Sequence, residues 1–280
     1  MSDAIFQNLM RQAAHGDASG YIDLAHRAVK SGNEGQMGWN SALAHAMFWT
    51  RLAAATQPNA DNLIGLADVL TAFAIDARQR GFEMQADYVG AQAIFRLEQA
   101  ALLGDENAAA KLSMAAEALS PAASAMAAEW EFNGRRDDVA AEDECLRAAA
   151  KGDAQAIINI FDVTIQTVLT GGLATSDAIA LLDVIGLFGK ATGDAAMALR
   201  HAGVEIMRAN CETPTQDTAD RRIGEAATAL QNLLSLVDAK EPGAADYLKS
   251  VIGGTDPRAI AIVAADRPDI LASTNCAGSC

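Results

Sequence analysis

A five-residue phrase that ends one helix and starts the next recurs along this chain, and the recurrence limits its fold more than any other feature. It reads Ala-Ala-His-Gly-Asp at 13–17, Ala-Leu-Leu-Gly-Asp at 101–105, Ala-Ala-Lys-Gly-Asp at 149–153 and Lys-Ala-Thr-Gly-Asp at 190–194. Its glycines stand at 16, 104, 152 and 193, so the gaps are 88, 48 and 41 residues, and the first gap halves to 44. A degenerate copy is expected near residue 60, where the small residues Ala53 to Ala55 lead into Pro58 and Asn59, and a last copy at Glu241-Pro242-Gly243-Ala244-Ala245. Glycine just after a helix adopts the left-handed conformation without a Cβ clash, and the following Asp caps the next helix. Each copy therefore predicts a helix–turn–helix joint. A fixed period of such joints predicts hairpins that stack and bury one continuous core.

Composition agrees with that reading. Six prolines, 5% aromatic residues and long Ala and Leu stretches favour helix, because Ala and Leu lose least on entering one. Almost no β-structure is expected. Periodicity and breakers place helices over 4–15, 17–31, 37–57, 60–80, 84–103, 105–119, 121–133, 138–151, 153–170, 176–191, 194–210, 217–239, 243–252 and 256–272. Between 91 and 103, Ile94, Leu97 and Ala101 follow the spacing of a buried face, with Arg96 and Glu98 expected outward. Between Gly104 and Gly152 three helical segments stand where two are expected. Either 105–133 is one long helix kinked at Pro121, or an extra helix interrupts the array.

The stretch 122–156, AASAMAAEWEFNGRRDDVAAEDECLRAAAKGDAQA, resembles the Sel-one-like repeat, a relative of the tetratricopeptide repeat. In that resemblance Ala125, Ala128 and Trp130 fill first-helix positions, Gly134 and Asp137 the loop, and Ala148, Ala149, Gly152 and Ala156 the joint. A weaker match runs from Asp87 through Phe95, Leu97, Ala100, Ala101 and Gly104 to Ala108. The resemblance implies an all-α fold, a right-handed α-α superhelix of about six stacked antiparallel hairpins. It also implies a concave surface that binds a protein or peptide, without catalytic residues. On this reading residues 1–280 form one α-solenoid domain, with capping helices over 253–272 and a loose tail over 273–280.

Charge narrows the partner. With 36 acidic against 21 basic residues the formal charge is −15, which repels phosphate backbones and anionic headgroups. Nucleic acid is a poor partner; a basic peptide, a basic protein patch or an apolar contact remains, and acidity also serves to keep an Ala-rich surface soluble. The amino terminus, Met1 to Asn8, carries an acid where a secretory signal carries positive charge, so a cytoplasmic location is expected. Residues 163–189 come nearest to a membrane span, but Gly171-Gly172, Asp177 and Asp183 interrupt them, and two buried helices of a soluble chain are expected there. Cys145, Cys211, Cys276 and Cys280 are scattered and need no disulfide.

Several residue patterns suit catalytic or metal chemistry, and each has an ordinary structural counterpart. Asp137, Asp138, Glu142 and Asp143 could hold Mg2+ against a diphosphate, but a second magnesium motif is absent and carboxylates suit the first turn of a repeat helix. Gly189-Lys190 resembles the end of a phosphate loop, yet Val184 and Ala191 stand where Gly and Ser or Thr belong, so Gly189 is expected to end a helix. His15, His26, His45 and His201 lie far apart; His15 and His201 are expected at helix ends, and the other two at the surface or satisfied in the core. Trp39, Phe48 and Trp49 are either exposed anchors or, as large apolar groups usually are, buried seals of the stack. No catalytic, cofactor or metal residue is designated, no cofactor is expected, and the binding residues are not legible. The sequence thus points to a non-catalytic interaction scaffold. Its alternatives are a Mg-dependent enzyme acting on a diphosphate and a self-associating architectural subunit.

Overall fold

The computed structural model describes residues 18–132, 135–169, 174–192, 194–211, 216–253 and 255–270. Among these residues the chain is helical throughout and forms no strand. In chain order the helices are α1 (Ala18–Asn33), α2 (Trp39–Thr56), α3 (Ala60–Gln79), α4 (Glu83–Leu102), α5 (Glu106–Ala118), α6 (Pro121–Phe132), α7 (Arg135–Ala150), α8 (Ala154–Leu169), α9 (Thr175–Ala191), α10 (Ala195–Cys211), α11 (Gln216–Asp238), α12 (Ala244–Ile252) and α13 (Pro257–Asp266).

The joints do what their chemistry predicts. Gly104 and Gly152 are left-handed, with φ of 88° and 85°. At the second, Gly152 N–H donates to Ala149 O and Asp153 N–H to Ala148 O, so the last carbonyls of α7 are satisfied. Asp105, Asp153 and Asp194 then accept from Ala108 N, Ala156 N and Met197 N at 2.9, 3.1 and 2.8 Å. Asn59 does the same for α3 at the degenerate copy, and Gly243, φ 79°, precedes α12. The phrase at 13–17 lies outside the described residues.

The extra helix between Gly104 and Gly152 is real. Leu119 is extended, Ser120 Oγ accepts from Ala123 N at 3.0 Å, and Pro121 opens a separate α6. The kinked-helix alternative is therefore set aside. Both α5 and α6 pack on α4. A Cβ on Gly90 of α4 would lie 3.1 Å from Ala123 Cβ, tighter than ordinary contact, so glycine eases the close approach of α6.

Packing divides the chain into two compact units after Thr192, where the period predicts a continuous array. In the first, α2 contacts α1 and α3, its chain neighbours, and also α7 and α9, which return from about a hundred residues away. That pattern exceeds the nearest-neighbour contacts of stacked hairpins. Phe48 and Trp49 of α2 meet Tyr21 of α1 and Phe188 of α9 with ring centroids 4.9 to 6.3 Å apart. Edge-on and offset pairs of this kind are worth about 0.5–1.5 kcal/mol each beyond their burial. A second core cluster in this unit joins Leu63, Leu66, Leu70 and Phe73 of α3 to Val89, Ile94 and Leu97 of α4.

In the second unit α11 is the centre. Leu230, Leu233 and Leu234 are buried there with Leu248 and Ile252 of α12, Val263 of α13 and Ile270. Within 253–272, α13 packs into this core through Ala259 and Val263, while 254, 271–272 and the tail 273–280 lie outside the described residues. No helix among the described residues is long and apolar enough to cross a membrane. Within 163–189, α9 is largely buried, but α8 is one-sided, with Ile157 and Phe161 inside and Val163 exposed, so only one of the two helices expected to be buried is.

Candidate functional site

The polar groups inside the first unit form one set of helix-to-helix ties. Arg96 of α4, expected outward, is buried: its two terminal nitrogens donate to the two oxygens of Asp143 of α7 at 2.7 Å each, and one also reaches Gln99. Arg51 of α2 donates to Glu142 at 2.8 Å and to Gln92 of α4. Arg147 Nε donates to Ala55 O at 2.9 Å. These bonds fix α7 against α2 and α4.

A matching set fixes α9. Asp177, fully buried in its first turn, accepts from Arg80 Nη2 and Gln85 Nε2 at 2.8 Å each and from Asn40 Nδ2 at 3.4 Å. Gln85 returns its carbonyl to Ala174 N–H at 2.9 Å, so one amide holds both the approach to the helix and its first acid. Burial works against the Arg80 charge, but the hydrogen bond and field of Asp177, with Asp76 behind, outweigh it and raise its pKa above the ordinary arginine value. His45 Nε2 lies 3.7 Å from Asp183 Oδ2, both buried. Among the described residues no buried side-chain nitrogen or oxygen lacks a hydrogen-bond partner. Buried pairs of this kind roughly break even against an apolar core, yet removing one partner costs several kcal/mol; what they supply here is register between helices distant in sequence.

The residues singled out from sequence fall into this framework. Of the acidic group, Glu142 and Asp143 are engaged by Arg51 and Arg96; the side chains of Asp137 and Asp138 lie outside the described ones. Among the described residues no group of three or more His, Cys, Asp and Glu side chains converges at metal-binding geometry. Gly189 does not end its helix: α9 runs on to Ala191, and Thr192 Oγ1 donates to Gly189 O at 2.6 Å. His201 is buried in mid-α10 near Glu205, not at a helix end, because the helix extends six residues before it. His26 is exposed, His45 is in the core, and His15 lies outside the described residues. Phe48 and Trp49 are buried seals, whereas Trp39 at the start of α2 is 39% exposed. Cys145 Sγ sits 3.6 Å from Ala156 O, and burial, reinforced by Glu142 and Asp153, pushes its thiol above the ordinary cysteine value.

What sequence reasoning missed is a small depression where α3 and α4 meet the α5–α6 joint. Ala74, Ile75, Arg78, Gln79, Ala86, Ala118 and Leu119 line it, and its volume is about 110 Å³. Small-molecule sites usually span roughly 300–1,000 Å³, so this hollow suits a single side chain. Ile75 at its edge is 38% exposed, and Phe82 and Met84 stand exposed at the adjoining α3–α4 turn. Arg78 forms the polar edge: its Nε reaches Glu83 at 3.1 Å and its Nη2 pairs with Asp87, which also accepts from Ser120 of the α6 cap. The only textual clue was the supernumerary helix, whose insertion creates the corner. Comparison with family models, curated proteins and solved structures finds no match to this chain.

Proposed function

We propose that this chain is a non-catalytic interaction scaffold that holds a partner protein or peptide against the surface of a helical-hairpin array. The observation that supports the reading is the largely apolar hollow of about 110 Å³ bordered by exposed Ile75, a size that fits one anchoring side chain. The carboxylates that a diphosphate-binding enzyme would need for Mg2+ include Glu142 and Asp143, and both are already engaged by arginines. On this reading the resemblance to Sel-one-like repeats supplies the hairpin unit. The hollow lies where α3 and α4 meet the end of α5, and the reading takes this corner, in place of the concave surface the resemblance implies, as the binding face.

Affinity capture from the native host with the intact chain, identified by mass spectrometry and controlled by a charge-matched acidic protein, tests it. A specific co-purifying protein is expected. Recovery of a small molecule or metal alone would replace the scaffold with a catalytic reading centred on 137–143. Light scattering on the same preparation separates a monomeric scaffold from a self-associating architectural subunit.

A further inference from the structure

We infer that the hollow between α3, α4 and the α5–α6 joint is the anchor point for one aliphatic side chain of a basic protein segment. The inference rests on the scaffold reading above and names the chemistry of its partner.

Shape comes first. Five of the lining residues, Ala74, Ile75, Ala86, Ala118 and Leu119, offer only carbon to an occupant. Ala74, Ala86 and Leu119 belong to the core, so the floor is set by packing and needs no ordering when a ligand arrives. An aliphatic side chain entering from solvent would cover the exposed part of Ile75 as well as its own surface.

Charge decides among occupants. The edge carries one guanidinium, Arg78, against two carboxylates, Glu83 and Asp87, and Glu83 is about two-thirds exposed. Glu117, which immediately precedes the lining residue Ala118 in the chain, is exposed. Lys111, the basic residue of α5, is paired with Asp68. With Glu83, Asp87 and Glu117 against the one guanidinium of Arg78, which Glu83 and Asp87 share, a lysine or arginine flanking the anchor would meet a net negative surround. A second copy of this chain would bring the same acidic edge and a formal charge of −15, and is disfavoured for that reason. Nucleic acid and anionic lipid are disfavoured by the same sign.

The test uses the intact chain and three labelled amphipathic peptides followed by fluorescence anisotropy at physiological salt. One carries Leu on one face and Lys on the other, the second replaces Lys by Glu, and the third replaces Leu by Ser. The Leu/Lys peptide is expected to bind, and each of the others to bind at least about tenfold more weakly, the loss of a central anchor. Ile75→Asp should weaken the Leu/Lys peptide by a similar factor, while Ile262→Asp, an exposed apolar position in the second unit, leaves it unchanged. Ala118→Phe fills the hollow from an exposed position and should give the same loss with an unaltered thermal melt, which keeps the test sound if Ile75→Asp unfolds. No binding of the Leu/Lys peptide, equal binding of its Glu counterpart, or indifference to both hollow variants overturns the inference. If a host protein is still captured equally by wild type, Ile75→Asp and Ala118→Phe, the scaffold reading survives and the anchor does not; if no protein is captured, both fall.

Discussion

Helices α2 and α5 are both rich in alanine, yet α2 buries 13 of its 18 residues and α5 buries only Ala108 and Ala115. The difference lies in what else each helix carries. Around α2, Leu43, Met47, Phe48, Trp49 and Leu52 point to several sides, so every face offers area to a neighbour, and α1, α3, α7 and α9 take those faces. On α5 the larger apolar residues are Leu112 and Met114, and Met114 is exposed. Alanine spacing permits close helix packing, but large side chains determine whether the packing is worth having, at about 0.8 kcal/mol per buried methylene. The consequence is one helix that organises a unit and another whose outer surface stays available.

The sharpest way to break that comparison is Trp49→Ala, which empties the aromatic contact of α1, α2 and α9. A loss of about 3–5 kcal/mol is expected in urea unfolding, the range for deleting a large aromatic from a packed core. If the loss is no larger than that of a surface substitution, α2 is not the organising helix. Next is Asp177→Ala, which leaves Arg80 and Gln85 facing an empty acceptor; since Arg80 is partly exposed, the expected cost is about 3 kcal/mol, the low end for a broken buried pair. Asp177→Asn should recover part of it.

Gly152→Ala comes third. The left-handed backbone of the α7–α8 joint penalises a Cβ by about 1–2 kcal/mol, measurable as a shift in the urea midpoint with an unchanged slope. Smallest is Met114→Gln on α5, expected to stay within about 0.5 kcal/mol of wild type. A larger loss there would mean that the outer face of α5 is covered, and would contradict its availability to a partner.

Much of this architecture was readable in the chain. Gly104 and Gly152 end helices because only a residue without Cβ reaches that conformation cheaply, and Asp105 and Asp153 start the next because a carboxylate satisfies orphan N–H groups; neither fact needs tertiary contacts. The helix boundaries followed from such local rules. Arg96 shows where they stop. Its spacing relative to Ile94 and Leu97 puts it on the outward face of an amphipathic helix; it is nevertheless buried, and Asp143 of α7 takes both its terminal nitrogens. His201 and Gly189 were misplaced for a related reason, since neither a central position nor a tolerated glycine within a helix announces itself in a local window. The hollow lined by Ile75, Ala86 and Leu119 was illegible because its walls come from three segments that only packing brings together.

The sequence by itself determined most helices and their joints, because helix propensity, capping and left-handed turns are settled within a few residues, and it left open only whether 105–133 is one kinked helix or two. Tertiary structure alone decided which helices return to α2, which charges are paired and where an apolar hollow stays open. Those outcomes depend on contacts between segments about a hundred residues apart, set by the shapes of large side chains and the pairing of buried charges, and no period along the chain encodes them.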